Sequence, residues 1–178
     1  MKETIRYGFI LGIICLVASA VLAAVDSVTE PKIKLQKEEA ENKALSEVLP
    51  EAASFKPHPG NGRIDYYVAR DKSGNIIGFV IKSEGKGYSS NIEVLTGLSR
   101  DLEIGEIKIL YQNETPGLGS RISESSFRKQ FQGRSLDSLD QVQAITGATI
   151  SSRAVIDSIK AKTGDLKEQL MREADSAR

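Results

Sequence analysis

The most direct chemistry in this 178-residue chain is offered by residues 146–152, which read Thr-Gly-Ala-Thr-Ile-Ser-Ser. They precede a helix that we predict over residues 153–162. A glycine lets the backbone approach a flat or phosphorylated ligand closely, and the Thr149 hydroxyl supplies an oxygen for an ester bond. Small hydroxyl-bearing residues also cap helices in proteins without any ligand. These residues alone therefore leave a ligand site and a plain capping loop both open.

Two upstream turns have an equally unusual composition. Residues 114–119 read Glu-Thr-Pro-Gly-Leu-Gly, and residues 85–89 read Gly-Lys-Gly-Tyr-Ser. Proline and glycine favour tight turns, and a tight turn after a strand exposes backbone against which a flat ring can lie. An ordinary strand-ending turn has the same composition, so each segment taken singly has two interpretations.

Taken in order along the chain, the three segments resemble the covalent FMN-binding domain of the G subunit of the Rnf electron-transport complex. The related C subunit of the sodium-pumping NADH:quinone reductase is also similar. The resemblance extends from the N-terminal apolar segment to about residue 162. In that family the second threonine of the Thr-Gly-Ala-Thr motif carries FMN through a phosphoester bond, which the resemblance transfers to Thr149. It also implies partner membrane subunits and a separate flavin transferase that uses FAD as the donor.

Elementary chemistry supports Thr149 over its neighbours. Gly147 can adopt a positive φ and leaves room for a phosphate, and Ala148 is small enough to admit a bulky group. Ser151 or Ser152 is predicted to cap the next helix, whose first amides attract an anionic phosphodiester. A threonine hydroxyl is a poor nucleophile without a neighbouring base. We therefore expect the bond to be made by another enzyme.

The remaining predicted contacts concern the flavin ring. Leu118 is expected to pack on one ring face, and Thr115 with nearby backbone amides to meet the polar edge. Lys86 and Glu114 form a conceivable acid–base pair, although electron transfer by flavin does not require one. The full predicted cofactor-binding set is Thr149, Thr146, Gly147, Ala148, Ser151, Glu114, Thr115, Gly117, Leu118, Gly87 and Tyr88.

One position departs from the family pattern. Members usually have an acidic residue three positions before the first residue of the motif, and here that position is Gln143. A glutamine can still donate and accept hydrogen bonds, but it has no negative charge to offer to a metal-assisted transferase. Asp140 lies one turn away and is a candidate substitute.

Composition narrows the other classes of function. The chain has 24 basic and 24 acidic residues, so no electrostatic footprint for nucleic acid is visible. The single cysteine, Cys15, lies in the apolar N-terminal run, and the single histidine, His58, lies in a predicted loop. We predict no metal site and no catalytic side chain.

The N-terminus is predicted to span a membrane. Residues 7–25 form a run of 19 residues without a charge. This is about the length needed to cross the hydrocarbon core as a helix. Lys2 and Arg6 precede this run and Asp26 follows it, so the positive-inside tendency places residues 1–6 in the cytoplasm and the domain on the extracytoplasmic side of the inner membrane. A cleaved signal peptide is the alternative, because residues 18–20 read Ala-Ser-Ala.

The predicted fold class is α+β, with the transmembrane helix followed by one mixed, mainly antiparallel sheet domain with packed helices. Residues 26–50 are expected to form a stalk helix that starts near Pro31, residues 51–164 the FMN-binding domain, and residues 165–178 a charged, partly frayed tail. Strands are expected over residues 64–69, 76–82, 92–98 and 106–111, with a loop at 55–63, a turn at 71–75 and a link through Gly105 between the last two strands. A short helix capped by Ser123 is expected to carry Phe127 and Phe131 on one face and to end near Gly133. The final helix is expected to end near Gly164.

These expectations combine into one functional hypothesis. The chain is predicted to be a single-pass membrane subunit that relays electrons through covalent FMN in an Rnf-type complex, which couples ferredoxin and NAD to ion movement. Two alternatives stay open: a stand-alone membrane-anchored flavoprotein reductase, and a flavin-free anchored interaction module.

Overall fold

The computed structural model describes residues 2–60 and 64–176 of the chain. Residues 61–63 of the predicted loop, and residues 1, 177 and 178 of the two predicted termini, lie outside the described part. The elements in chain order are α1 (Lys2–Val48), β1 (Ser54–Pro59), β2 (Ile64–Arg70), β3 (Ile76–Lys86), β4 (Asn91–Ser99), β5 (Ile104–Tyr111), a 3-10 turn (Gly119–Ser123), α2 (Ser125–Arg128), further 3-10 turns (Lys129–Phe131 and Leu136–Gln141) and α3 (Thr149–Ser176).

The five strands form one sheet in the order β1-β2-β3-β4-β5, and every neighbouring pair is antiparallel. The predicted fold class is thereby confirmed. The turn at 71–75 also forms as predicted, because the Asp71 carboxylate accepts the amides of Ser73 and Asn75 while Gly74 adopts a φ of +88°. These contacts fix the β2–β3 register.

The main apolar core lies between the sheet and α3. Phe79 and Ile81 of β3 are fully buried in one cluster with Val155 and Ile159 of α3. The predicted pair Phe127 and Phe131 joins the same cluster, with ring centroids 5.3 Å apart. This packing holds α3 across the strands and so sets the position of its first turn.

A second, smaller cluster involves the end of α1. Ala44, Leu45 and Val48 are buried against Tyr67, Val80 and Leu95 of the sheet. Polar contacts accompany them: the Glu41 carboxylate accepts the Tyr67 hydroxyl at 2.7 Å and the Lys82 ammonium at 2.8 Å. Residues Glu41–Arg178 form one compact unit, which contains both clusters.

The predicted start of a separate helix near Pro31 is wrong, since Pro31 lies inside a continuous α1. Proline removes one backbone donor from a helix. The surrounding segment is exposed, so water can hydrate the carbonyl that loses its partner.

Two other boundaries differ because packing supplies what local sequence does not show. The predicted loop begins with β1, whose residues 54–59 pair with β2 despite two prolines, as an edge strand permits. The final helix does not stop at Gly164, because Leu166, Leu170 and Ala174 continue the buried stripe of α3 to its end.

Smaller corrections concern the turns. Gly105 lies within β5 and not in the β4–β5 link, where Leu102 takes the positive φ of +61°. Ser123 ends a 3-10 turn and does not cap α2, whose N-cap is Glu124 without a side-chain bond. The predicted end near Gly133 is confirmed by a φ of +70° there, which favours glycine.

Candidate functional site

The three segments singled out from the sequence meet at the carboxylate of Glu114. Its Oε1 accepts the amides of Ser89 and Ser90, both at 3.0 Å. Its Oε2 accepts the amide of Tyr88 at 3.1 Å and the hydroxyl of Ser151 at 2.6 Å. One side chain thus joins the turn after β3, the turn after β5 and the first turn of α3.

Glu114 is ionised in this environment although it is only 5% exposed. Burial by itself raises the pKa of the carboxyl, but the bonds from Ser151 and the amides of residues 88–90 outweigh it and leave the pKa below the usual value. The carboxylate therefore contributes stability that is present above the ordinary carboxyl range and is lost as pH falls through the lowered pKa.

Two positions beside this carboxylate require glycine, because neighbouring atoms lie too close for a side chain. A Cβ on Gly119 would lie 2.7 Å from both the Glu114 Cβ and the Ser151 Oγ, and one on Gly87 would lie 2.5 Å from the Glu114 Oε1. No side chain fits at either position without displacing the carboxylate. Both segments therefore use glycine to close around Glu114.

Thr149 is the first residue of α3, and it is exposed. Within the described part of the chain, the amides of Thr149, Ile150 and Ser151 have no hydrogen-bond partner, as expected for the first turn of a helix. Such amides, together with the helix dipole, favour an anionic group. The Thr149 hydroxyl thus stands beside a set of donors suited to a phosphate.

The residues before Thr149 shape its surroundings as the sequence predicted. Gly147 has a φ of +81°, and Ala148 is buried. A Cβ on Gly147 would meet the Leu118 Cδ2 at 3.4 Å, so Leu118 lies directly over the motif. The Leu118 side chain remains 47% exposed, which leaves an apolar surface available beside Thr149.

An open groove of about 490 Å³ runs from Thr149 between the end of β3 and the start of α3. Four charged residues line it, the basic Lys86 and Arg153 and the acidic Glu84 and Asp157, while Ile150 adds an apolar surface that is 55% exposed. The sequence reasoning missed Ile150 and Arg153 as site residues. Arg153 lies four positions after Thr149, which is the spacing of one helix face, and would have been indicated had the helix been predicted to begin at Thr149 rather than Arg153. No such spacing indicates Ile150.

The two serines have roles other than the predicted caps. Both are buried within the first turn of α3. Ser151 donates to Glu114, and Ser152 Oγ accepts the amide of Ile145 at 3.0 Å, which ties the preceding loop back onto the helix. Tertiary partners thus replaced the capping bonds that local sequence suggested.

The other predicted residues lie at different distances from this centre. The Thr115 carbonyl accepts the amides of Leu118 and Ser120, and Gly117 has a φ of +75°, so both residues form the turn itself. Thr146 lines a separate shallow cavity with Gln143. Tyr88 is 73% exposed, with its backbone rather than its ring held by Glu114.

Gln143 stands where the family has an acidic residue, and Asp140 is the candidate substitute. The Gln143 backbone exchanges hydrogen bonds with the side chain of Gln130. Asp140 is paired with Lys160 at 2.7 Å, and this ion pair keeps the pKa of Asp140 below its usual value. The conceivable pair of Glu114 with Lys86 is also not among the contacts of the described residues.

Comparison with known proteins now identifies the family. The FMN-binding domain family matches residues 87–162, and the RnfG N-terminal region matches residues 1–48. The G subunit of the ion-translocating oxidoreductase complex of Methanosarcina acetivorans is 35% identical, over 89% of this chain and 92% of its own length. The chain belongs to the RnfG family. It is a redox subunit of that class with an FMN-binding domain.

Two further G subunits are similar in sequence to this chain, and one solved structure has a similar fold. The G subunit of the proton-translocating ferredoxin:NAD(+) oxidoreductase complex of Clostridium ljungdahlii is 34% identical and covers 84% of each chain. The G subunit of the Na(+)-translocating complex of Acetobacterium woodii is 32% identical, over 86% of this chain and 87% of its own. Shewanella oneidensis NqrC shares the fold with a TM-score of 0.54 at 17% identity, over 72% of this chain and 74% of that one.

The apolar part of α1 agrees with a membrane subunit. Among the described residues, α1 is the one helix whose length and composition suit a membrane crossing. Because the RnfG N-terminal match covers this helix, the chain is a single-pass membrane protein.

Proposed function

We propose that this chain carries FMN through a phosphoester on Thr149 and relays electrons within an Rnf-type complex that moves electrons between ferredoxin and NAD. The observation that supports it most strongly is the exposed Thr149 at the start of α3, where three amides have no partner among the described residues, inside the FMN-binding match. FMN supplies reversible electron uptake that the side chains of the domain lack.

The residues of the chain would bind and orient the cofactor. The first amides of α3 would hold the phosphate, and Gly147 with Ala148 would leave it space. Leu118 and Ile150 offer exposed apolar surfaces on which a flat ring can pack. A covalent link keeps the ring at high effective concentration beside these surfaces.

The link itself requires a separate flavin transferase. A threonine hydroxyl needs an adjacent base to become a nucleophile. The single histidine, His58, lies on β1, where it stacks on Tyr66 with ring centroids 4.6 Å apart. It is therefore engaged elsewhere, and maturation depends on a partner enzyme.

We propose that the domain lies on the extracytoplasmic side of the inner membrane, with partner subunits providing the ion path. Lys2 and Arg6 before the apolar run, against Asp26 and Glu30 after it, favour this orientation. Protease added to cells with permeabilised outer membranes should digest the domain and spare a fragment near residues 1–25. Full protection of the chain would reverse the orientation.

The function is tested on the membrane-purified protein. We expect a flavin visible spectrum, fluorescence that survives a denaturing gel, and co-purification of multispan membrane subunits. Covalent flavin without such subunits would favour the stand-alone reductase. A colourless protein after expression with an active transferase would favour the flavin-free interaction module.

A further inference from the structure

We propose that Glu114 is a positioning residue, which assembles the surface around Thr149 without touching the flavin. This inference deepens the proposed function and rests on it. Glu114 was predicted from the sequence as a cofactor contact, and its geometry assigns it a different task.

The carboxylate of Glu114 has no capacity left for a ligand. An ionised carboxyl group has about four acceptor positions. Three amides and the Ser151 hydroxyl occupy them, two on each oxygen. The side chain is also 5% exposed and enclosed by Gly87 and Gly119. A ligand at Thr149 therefore meets what Glu114 holds in place, not Glu114 itself.

What Glu114 holds in place is non-local. The turn at residues 88–90 and the first turn of α3 are separated by about sixty positions, and no backbone hydrogen bond joins them within the described chain. Glu114 binds both, and through Ser151 it fixes the turn of α3 that begins with Thr149. Its negative charge near this helix end is favoured by the helix dipole. The Thr149 hydroxyl and its neighbouring amides are thereby held in one geometry before a flavin arrives.

The arrangement needs the ionised form and not only its shape. Glutamine has nearly the same volume, but its amide nitrogen donates and cannot accept. In Glu114→Gln the side-chain NH2 group would face either the Tyr88 backbone amide or the backbone amides of Ser89 and Ser90, all of which are donors. Leaving a buried donor without an acceptor destabilises the folded arrangement. A space-filling role would tolerate this substitution, and a positioning role would not.

The test compares the full-length parent with Glu114→Gln and the exposed control Glu103→Gln. Two quantities are measured: amide hydrogen exchange of residues 88–90 in the flavin-free protein, and the initial rate of flavin attachment by the transferase at saturating FAD. We expect Glu114→Gln to exchange at least about tenfold faster at these amides and to be labelled at least about tenfold more slowly, as for a loss of 1.4 kcal/mol. Glu103→Gln should match the parent in both.

A second variant separates the bond from Glu114 to α3 from its bonds to the amides of residues 88–90. Ser151→Ala removes only the bond to α3, so exchange at residues 88–90 should stay close to the parent while labelling slows severalfold. The midpoint potential of its labelled fraction should also differ from the parent, which a loss of stability elsewhere would not cause. This variant carries the test if Glu114→Gln does not fold.

Parental labelling rates in both variants would overturn the positioning role, as would unchanged exchange at residues 88–90 in Glu114→Gln. Neither result would affect the proposed linkage, because that fails if label survives in Thr149→Val or if the parent takes up no label. The two hypotheses are therefore refuted by different measurements.

Discussion

The two ends of α3 are held in place by different forces. At its start, Thr149 and Ile150 are exposed, and the neighbouring Ser151 is fixed by a hydrogen bond to the buried Glu114. At its far end, Leu166 and Leu170 are buried in the apolar core. One helix thus combines an open polar end suited to an anion with a closed apolar end that secures it to the sheet.

This difference separates stability from cofactor binding. Burial of a leucine side chain contributes about 1.5–3 kcal/mol, whereas a typical hydrogen bond contributes about 1 kcal/mol net. Substitutions at the far end should therefore lower the free energy of unfolding and leave flavin attachment intact. Substitutions at the near end should mainly change attachment or the properties of the attached flavin.

The largest effect on stability is expected from Leu170→Ala. Leu170 is fully buried at the far end of α3, and such truncations cost about 2–5 kcal/mol because they leave a cavity. Urea unfolding of the full chain in detergent measures the loss, and flavin labelling below the transition should equal that of the parent. A labelling defect in the folded variant would show that the two ends are not independent.

Gly119→Ala should affect both the free energy of unfolding and the rate of flavin attachment. Its new Cβ would lie 2.7 Å from the Glu114 Cβ and the Ser151 Oγ, and overpacking of this kind costs about 1–3 kcal/mol. We expect slower labelling together with the lower free energy of unfolding. The control is the Gly12→Ala variant, since a Cβ added at Gly12 would meet no atom within 4 Å. Unchanged labelling in Gly119→Ala would mean that the contact at Ser151 does not matter.

Leu118→Asp tests the predicted ring contact. Leu118 is half-exposed over Gly147, so its replacement should leave the free energy of unfolding nearly unchanged. The covalent flavin should be retained, but its midpoint potential should fall because a nearby negative charge disfavours added electrons. Leu118→Met is the apolar control and should behave as the parent. A parental spectrum and potential in Leu118→Asp would exclude Leu118 as a ring contact.

The smallest effect is expected from Gly164→Ala. Gly164 is an exposed helical residue with open space around its Cβ position. Alanine in a helix interior is more favourable than glycine by about 0.8–1.0 kcal/mol. The free energy of unfolding should therefore rise slightly, with labelling unchanged. Destabilisation would contradict the continuity of α3 through this position.

β-prone composition and turn chemistry made much of the fold predictable. The β-prone segments that form β2 to β5 and the Asp71–Asn75 turn were local signals, and the structure confirms both. The end of α3 could not be predicted in this way. Gly164 is a local stop signal, and only burial of Leu170 against distant residues overrides it.

The site was predictable in its composition but not in its connections. The motif residues 146–149 and the glycine turns were visible as types and spacing. The hydrogen bonds of Glu114 join residues 24 to 37 positions apart, and no periodic pattern records such a contact. Ile150 and Arg153 were missed for a different reason, since the helix was predicted to begin at Arg153 and α3 begins at Thr149.

The proposed linkage is tested most directly by Thr149→Val, expressed with a flavin transferase. Valine keeps the β-branched shape at an exposed position, so the circular-dichroism spectrum should equal that of the parent. In the parent, the tryptic peptide that ends at Arg153 should gain the mass of FMN less water and fluoresce in a denaturing gel. The valine variant should show neither signal, whereas Thr146→Val should keep both. Covalent fluorescence in a folded Thr149→Val protein would contradict the linkage.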